Sequence, residues 1–552
     1  MSEILHLQYG NLSNFIMTHY WNIQDELIKY RHDDFLHKRL YMELSTGLYI
    51  PRTLIFDMKD MYGYYAPVDL VKEAIANDPN VQVYEAEHPE KSPFTKYLDG
   101  VIEDSKEDEL EMDEEELEQY KKEMNKEEIK GEVVNIIKSA EDKKLQEYEK
   151  QLNDLKKLYK KFMFDKHTQY WIDFAQTSYN SSNRVPVSLY EDIDDMADYQ
   201  NGLVFAQENF TFRDEYEDAF RLMLEKADLI SGLVLTFEHD NSFAGIAAET
   251  LSNYKQEIPK CPIVAFSPLN PFVKSNNHKG EPWQYLNILM ATKDLIMPSI
   301  DVVVPFDFPK LKAPNAKLLQ GVNMESKYHL SSLPVCAIDS LVHQFCRKSC
   351  LNGGMKEWIN YFAYNSLTKI AHLRQSLPFL WYNKEKLVDA IKKIKMQDLD
   401  YLSPLVSEAK DIPYFSFNFL RASEEVKIGQ VSEAFSSIQG VSTYMKNSFF
   451  DENILLPISH PRLFAPTITA IGQSIVIPQK DPLFVTQIPY YANIFLTYKT
   501  GEELKRMYEE VSERQMWIKK MMSKGKLIID DWEELKTEII NITESYTSLK
   551  QS

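Results

Sequence analysis

No stretch of this 552-residue chain reaches the roughly 18–20 uncharged apolar residues that a bilayer-spanning helix needs, and the best apolar runs, such as Leu233 to Phe237, have the length of a strand. Membrane association is therefore expected only through a partner or a peripheral contact. The N-terminus MSEILHLQYG has neither a basic n-region nor an unbroken apolar h-region, and it lacks the Arg-rich, acid-poor character of a mitochondrial presequence. A cytosolic location is expected. Cysteine is scarce: Cys261, Cys336, Cys346 and Cys350 show no CxxC pairing and have too few histidines nearby for a zinc site. They read as small buried apolar residues in a reducing compartment. Positive charge is short too, with 62 Lys and Arg against 83 Asp and Glu, a net charge of −21. That balance opposes nucleic acid and anionic lipid as direct partners and favours basic partners, or partners indifferent to an acidic surface.

What is present is an alternation of strands and helices. Ile4 to Gln8 alternates apolar and polar residues as a strand does. The turn Tyr9-Gly10-Asn11 then leads to Leu12, Phe15, Ile16, His19, Tyr20, Ile23 and Leu27 at helical spacing. A second strand, Thr53 to Asp57, follows Pro51 and ends on an acid, and in open α/β sheets ligands bind at such strand ends. Further on, Tyr170 to Phe174 reads as the start of an amphipathic helix. A helix from about 214 to 227 feeds the near-continuous apolar run Gly232 to Phe237, as a parallel strand buried on both faces requires. The segment His239-Asp240-Asn241-Ser242-Phe243-Ala244-Gly245 and a helix to about Tyr254 come next. Strands at 262–266 and 301–304 flank a helix at 283–294, which indicates a parallel three-layer sheet. Beyond about 310 the alternation weakens into an α+β pattern, with a helix expected over 355–373, strand-like runs at 454–456, 474–478 and 492–498, and charged helices at 501–524 and 532–548 on the surface of that second domain.

One segment breaks the pattern. Residues 103–132 hold 15 acids and 5 lysines, a net of −10, a block that repels itself and is usually solvated. Leu145, Tyr148, Leu152, Leu155, Tyr159 and Phe162 then form a short heptad seam, which suits either a helix lying on its own domain or a partner-binding coiled coil. The expected organisation is 1–96 and 166–310 as two parts of one α/β domain, 97–165 as an acidic and helical insertion, 311–500 as an α+β domain and 501–552 as C-terminal helices.

The opening Glu3 to Ile16, closing with Tyr20-Trp21-Asn22, resembles the first strand, glycine loop and helix of tubulin. Ile50 to Asp57 resembles tubulin's second strand and its acidic end, and Ser231 to Thr236 the strand before its phosphate loop. Where tubulin has GGGTGSG, this chain has residues 239–245, which look like the HDGFSG-type segment of the Misato family. Tyr170 to Phe174, Ala337 to Ser340, His460 to Phe464 and Thr500 to Leu504 also resemble that family. The resemblance implies a tubulin/FtsZ-like fold: a parallel, three-layer, Rossmann-like N-terminal domain, an α+β second domain and C-terminal helices.

On that resemblance a residual nucleotide site would comprise Gly10, Asn11, Asp57 and Gly245, with no catalytic residue and no metal ligand. Asn11, Leu12 and Ser13 replace tubulin's glutamine, cysteine and glycine, and Lys59 stands where tubulin has a glutamate, so it would pair with a phosphate or replace the metal. A phosphate cradle needs several residues at positive φ and no obstructing side chains. A loop with Phe243, Asp240 and Gly245 as its one glycine meets neither need. Gly10, Asn11 and Asp57 thus read either as turn, cap and strand-end residues or as residual ligand contacts. Asp240 is expected as a helix N-cap and Asp339 as a cap or surface acid. The twelve histidines are scattered, with no Ser/His/Asp or HExxH arrangement, so enzymes other than a GTPase have little support. The Misato resemblance implies a non-catalytic, cytoplasmic protein with no bound cofactor, peripherally associated with mitochondria. It would act in mitochondrial distribution, morphology and inheritance through protein partners such as tubulin, chaperonin or outer-membrane proteins. The alternatives are a GTP-binding, polymerising GTPase, or a tubulin-assembly factor of the spindle and chromosome segregation.

Overall fold

The computed structural model describes residues 2–31, 38–43, 49–63, 94, 96, 157, 161–188, 197–272, 281–308, 318–346, 354–382, 384–403, 414–424, 426–438, 444–475, 485–516 and 532–550. The acidic block at 103–132, and the heptad seam apart from Phe162, lie outside them, as do most residues of the expected insertion.

The chain opens with β1 (Ser2–Tyr9) and α1 (Asn11–Arg31), followed by the small antiparallel pair β2 (Tyr41–Glu43) and β3 (Tyr49–Pro51), then β4 (Thr53–Met58) and β5 (Arg184–Val187). Helices α2 (Tyr199–Glu208) and α3 (Phe210–Glu225), β6 (Leu229–Phe237), α4 (Ser242–Glu257), β7 (Ile263–Pro268), α5 (Glu281–Ala291) and β8 (Val302–Phe306) complete the first sheet. Its order is β5-β4-β1-β6-β7-β8 and every pair is parallel. Building outward from β1, the chain first adds β4 and β5 on one side, then crosses to add β6, β7 and β8 on the other. The progression reverses between β1 and β6, where doubly wound sheets open a ligand crevice.

The alternation in β1 does not separate core from water. Leu5, Leu7 and Tyr9 face α4, where the Tyr9 hydroxyl meets Thr250 Oγ1 at 2.7 Å. His6 on the opposite face packs against the Tyr20 ring at a tilt and against Trp21 edge-on, both on α1, and burial pushes its imidazole down to about 3, so it is a neutral core residue. Both faces are covered, which makes three layers.

The second half comprises α6 (Lys327–Ser332), α7 (Val335–Cys346), α8 (Met355–Phe362), β9 (His372–Ser376), α9 (Leu387–Lys392), β10 (Asp400–Tyr401), β11 (Phe415–Arg421), α10 (Ile428–Ser436), β12 (Tyr444–Phe450), β13 (Ile454–Leu455), β14 (Gln487–Ile488) and β15 (Tyr490–Leu496), then α11 (Lys499–Glu513) and α12 (Trp532–Ser548). Its sheet runs β10-β9-β15-β11-β12, with β11 and β12 parallel and the other neighbours antiparallel. One apolar core runs through both sheets, and α7, all twelve residues buried, lies between α1 and β11.

Several expectations are corrected. The helix expected over 355–373 ends at Phe362, because the Asn365 side chain accepts from the Leu367 and Thr368 N–H groups and turns the chain into β9. Tyr170 to Phe174 is a short 3₁₀ turn rather than a helix start, since Asp173 takes the N–H groups of Gln169 and Tyr170. The run at 474–478 contributes an isolated bridge at Ser474, and residues 476–478 lie outside the described set. The tail helices are not confined to the second domain: α11 pairs with α12 and packs on α5 of the first sheet, where Arg506 reaches the Tyr285 hydroxyl at 3.2 Å. Asp339 is neither cap nor surface acid. It sits inside α7, buried, ion-paired with Arg421 of β11 and accepting from Gln24 Nε2 of α1 at 2.6 Å, while Arg421 Nη2 also meets Glu452 at 3.0 Å.

Removing one partner of a buried ion pair strands the other. Asp339→Ala is expected to lower the unfolding free energy by about 3–5 kcal/mol, whereas replacing Asp339 and Arg421 together by apolar residues costs much less. Chemical denaturation of the two variants reads the difference.

Candidate functional site

The carboxyl ends of β1 and β6, where a doubly wound sheet places its crevice, carry short polar segments after each strand. Gly10 carries the chain from β1 into α1 at φ +100°, a conformation that suits glycine, and its N–H donates to Phe56 O at 3.0 Å. On the other side of the crevice β6 runs on into Glu238, whose N–H donates to Tyr9 O at 3.1 Å. The Glu238 side chain then turns across the end of β1. Its Oε1 accepts from the Leu12 N–H at 2.7 Å, and its Oε2 accepts from Asn241 Nδ2 at 2.5 Å and Asn270 Nδ2 at 2.6 Å. A Cβ on Gly10 would lie 2.6 Å from the Glu238 carboxyl carbon, so the glycine also leaves room for this carboxylate.

The two asparagines cannot turn their amides around at no cost. Asn241 Oδ1 caps α4 by accepting from the Phe243 N–H at 3.0 Å, and Asn270 Oδ1 accepts from the Phe272 N–H at 3.0 Å, so each NH2 faces Glu238. Burial pushes Glu238 above the usual carboxylate range, while these donors pull it back.

Asp57 ends β4, fully buried. Its Oδ2 accepts from Asn14 Nδ2 at 3.0 Å, Trp171 Nε1 at 3.1 Å and Asn11 Nδ2 at 3.2 Å, and its Oδ1 from the Met58 N–H at 2.8 Å. Lys327 Nζ donates to Asn11 Oδ1 at 2.8 Å, which holds the Asn11 amide with its NH2 towards Asp57. Burial pushes Asp57 up to about 7; Asn14 and Asn11 oppose this and the nearby Glu238 adds to it. Asp240, also raised to about 7 chiefly by burial, accepts from the Asn270 N–H at 3.0 Å and Gln284 Nε2 at 2.7 Å. The crevice is therefore rich in acceptors, and each of these three acids is hydrogen-bonded by groups of the chain itself. Among the described residues no group of three or more His, Cys, Asp or Glu is arranged to hold a metal ion.

Of the residues singled out from the sequence, Gly10, Asn11 and Asp57 come together here. Gly245 does not join them: it lies within α4 against α2, where an added Cβ would stand 2.1 Å from Tyr199 O. Gly202 of α2 makes the reciprocal approach, since a Cβ added there would stand 1.8 Å from Ser242 O, so these glycines set helix contact. The N-cap of α4 is Asn241 rather than Asp240, whose carboxylate is taken by Asn270 and Gln284. Lys59 is exposed on a 3₁₀ turn. Sequence reasoning missed Glu238, Asn14, Asn270, Lys327 and Trp171. Glu238 carried a usable signal, an acid at the carboxyl end of a buried strand, as Asp57 is; the others reach the crevice only through tertiary packing.

The Asp57 shift makes stability depend on pH. A carboxyl raised in the folded state contributes stability that is complete below the ordinary aspartate range and is lost as pH rises through about 7. Asp57→Asn lacks that loss, so its stability relative to the wild type should improve by about 1–3 kcal/mol between pH 5 and pH 8. Denaturation of both proteins across that range measures it, and a constant difference would contradict the shift.

Residues 2–154 match the family model described as the Misato Segment II tubulin-like domain. The chain is 23% identical over 353 residues to Protein DML1 of Coccidioides immitis, covering 62% of this chain and 58% of that protein. It is 22% identical over 363 residues to Protein dml-1 of Neurospora crassa, covering 62% and 56%. To Protein misato of Drosophila melanogaster it is 23% identical over 278 residues, covering 46% and 42%. The chain thus spans between two fifths and three fifths of the length of these relatives. With the six-stranded parallel sheet and its helices, these matches identify the fold as tubulin-like. Together the family model and these relatives support the Misato family for this chain.

Proposed function

We propose that this chain is a non-catalytic, tubulin-like protein that acts in mitochondrial organisation, distribution, morphology and inheritance by protein–protein contact, from the cytoplasm and in peripheral association with mitochondria. The observation that carries the non-catalytic part is the crevice between β1 and β6. A polyphosphate there requires free N–H donors and positive charge. Asp57, Glu238 and Asp240 are instead buried around it, and the Leu12 N–H is engaged by Glu238. Phosphate beside these acids meets like charge, a repulsion of several kcal/mol in order of magnitude at low effective dielectric. The residues present do not fit GTP. The mitochondrial part rests on the Misato family itself. Contact as the mode of action is supported by a net charge of −21, which suits partners with basic surfaces. Tubulin, chaperonin and mitochondrial outer-membrane proteins are the partners we propose. Among the described residues no helix is long and apolar enough to cross a membrane, which is compatible with peripheral association.

Full-length protein mixed with millimolar GTP and magnesium should show no rise in melting temperature and release no phosphate, whereas a ligand at a hundred times its Kd would add about 2.7 kcal/mol. Depletion from cells should disturb mitochondrial distribution. Nucleotide-dependent stabilisation with phosphate release would favour a polymerising GTPase instead.

A further inference from the structure

We infer that the Glu238 carboxylate is a tethered anion, filling from within the chain an oxyanion site made by the Leu12 N–H and the side-chain amides of Asn241 and Asn270, and that a chain without this carboxylate takes a small oxyanion from solution in its place. The inference rests on the reading that the crevice holds no nucleotide, and names what occupies it.

The site is more than a helix end. Its donors come from three separate parts of the fold: the first turn of α1, the turn between β6 and α4, and the segment after β7. All three aim at one buried carboxylate, and two are amides whose orientation is fixed by their own caps on Phe243 and Phe272. The first turn of a 21-residue helix adds the positive end of its dipole, and Lys327, bonded to the neighbouring Asn11, adds favourable charge. Each of the three groups hydrogen-bonded to the occupant is a donor, so both of its oxygens must accept. A small carboxylate satisfies this, whereas a multiply charged phosphate or sulfate would also meet the nearby Asp57 and Asp240. A glutamine side chain does not satisfy it, because its NH2 must point either at the Leu12 N–H or at the two amide NH2 groups. If Glu238 merely filled space, glutamine of equal size would replace it at little cost.

Thermal unfolding of full-length Glu238→Ala, in sodium acetate against sodium chloride at equal ionic strength, tests the inference. Acetate should raise the melting temperature of the variant saturably, by several degrees, and leave the wild type unmoved. Equal responses in variant and wild type, or none in either, would overturn it. Glu238→Gln gives a reading independent of added anions: its melting temperature should fall by several degrees, or it should fail to fold, and a Glu238→Gln protein as stable as the wild type would also overturn the inference. The two readings fail separately. Nucleotide binding by the wild type would remove the reading beneath, whereas an Ala variant indifferent to anions, beside a wild type that binds no nucleotide, would remove the tethered anion alone.

Discussion

A carboxylate taken out of water must be given hydrogen-bond donors, and the donors available at the carboxyl ends of a parallel sheet are the N–H groups and amides that would otherwise receive a ligand. That constraint organises this protein. Glu238 consumes the Leu12 N–H and two asparagine amides, and Asp57 consumes Asn14, Trp171 and Asn11. On the function proposed above, the groups that satisfy the buried acids are the donors a polyphosphate would otherwise use. In this fold internal satisfaction and external binding compete for one set of atoms.

The constraint recurs where the two sheets meet. Helix α7 is buried along its whole length, so its polar side chains must find partners inside: Asp339 takes Arg421 and Gln24, and Gln344 accepts from Ser448 at 2.6 Å. These bonds reach from α1 to β11 and β12, fixing the register of one half of the molecule on the other. Such networks add little net stability compared with apolar packing of equal volume, but a missing partner is costly, so they specify one arrangement. The outcome is one packed arrangement of the two sheets on the tubulin-like fold.

Legibility followed the period of the apolar pattern. The parallel strands at Thr53, Leu233 and Ile263, and helices α1, α3 and α4, were readable because each is a continuous apolar run or a helical stripe. Strands β11 and β12 went unread: Phe417 and Phe419 face one core and Leu420 another, while Lys446 and Asn447 break the apolar pattern of β12. Helix α7 was also missed, because Asp339 read as a cap or surface acid, whereas every residue of this helix, the polar ones included, is buried. At the crevice Gly10, Asn11 and Asp57 were legible from strand-end position. Gly245 drew notice for lying where the related fold has a phosphate loop, whereas its place against Tyr199 depends on the packing of α2 on α4, which no local pattern encodes.

The most direct test is an experimental density map, at a resolution that separates carboxylate from phosphate, of protein prepared with millimolar guanine nucleotide and magnesium. The account predicts the Glu238 carboxylate on the Leu12 N–H, with both asparagine amides turned towards it and no phosphate between residues 10–12 and 238–241. Phosphate density there, with Glu238 swung out of the crevice, would contradict it.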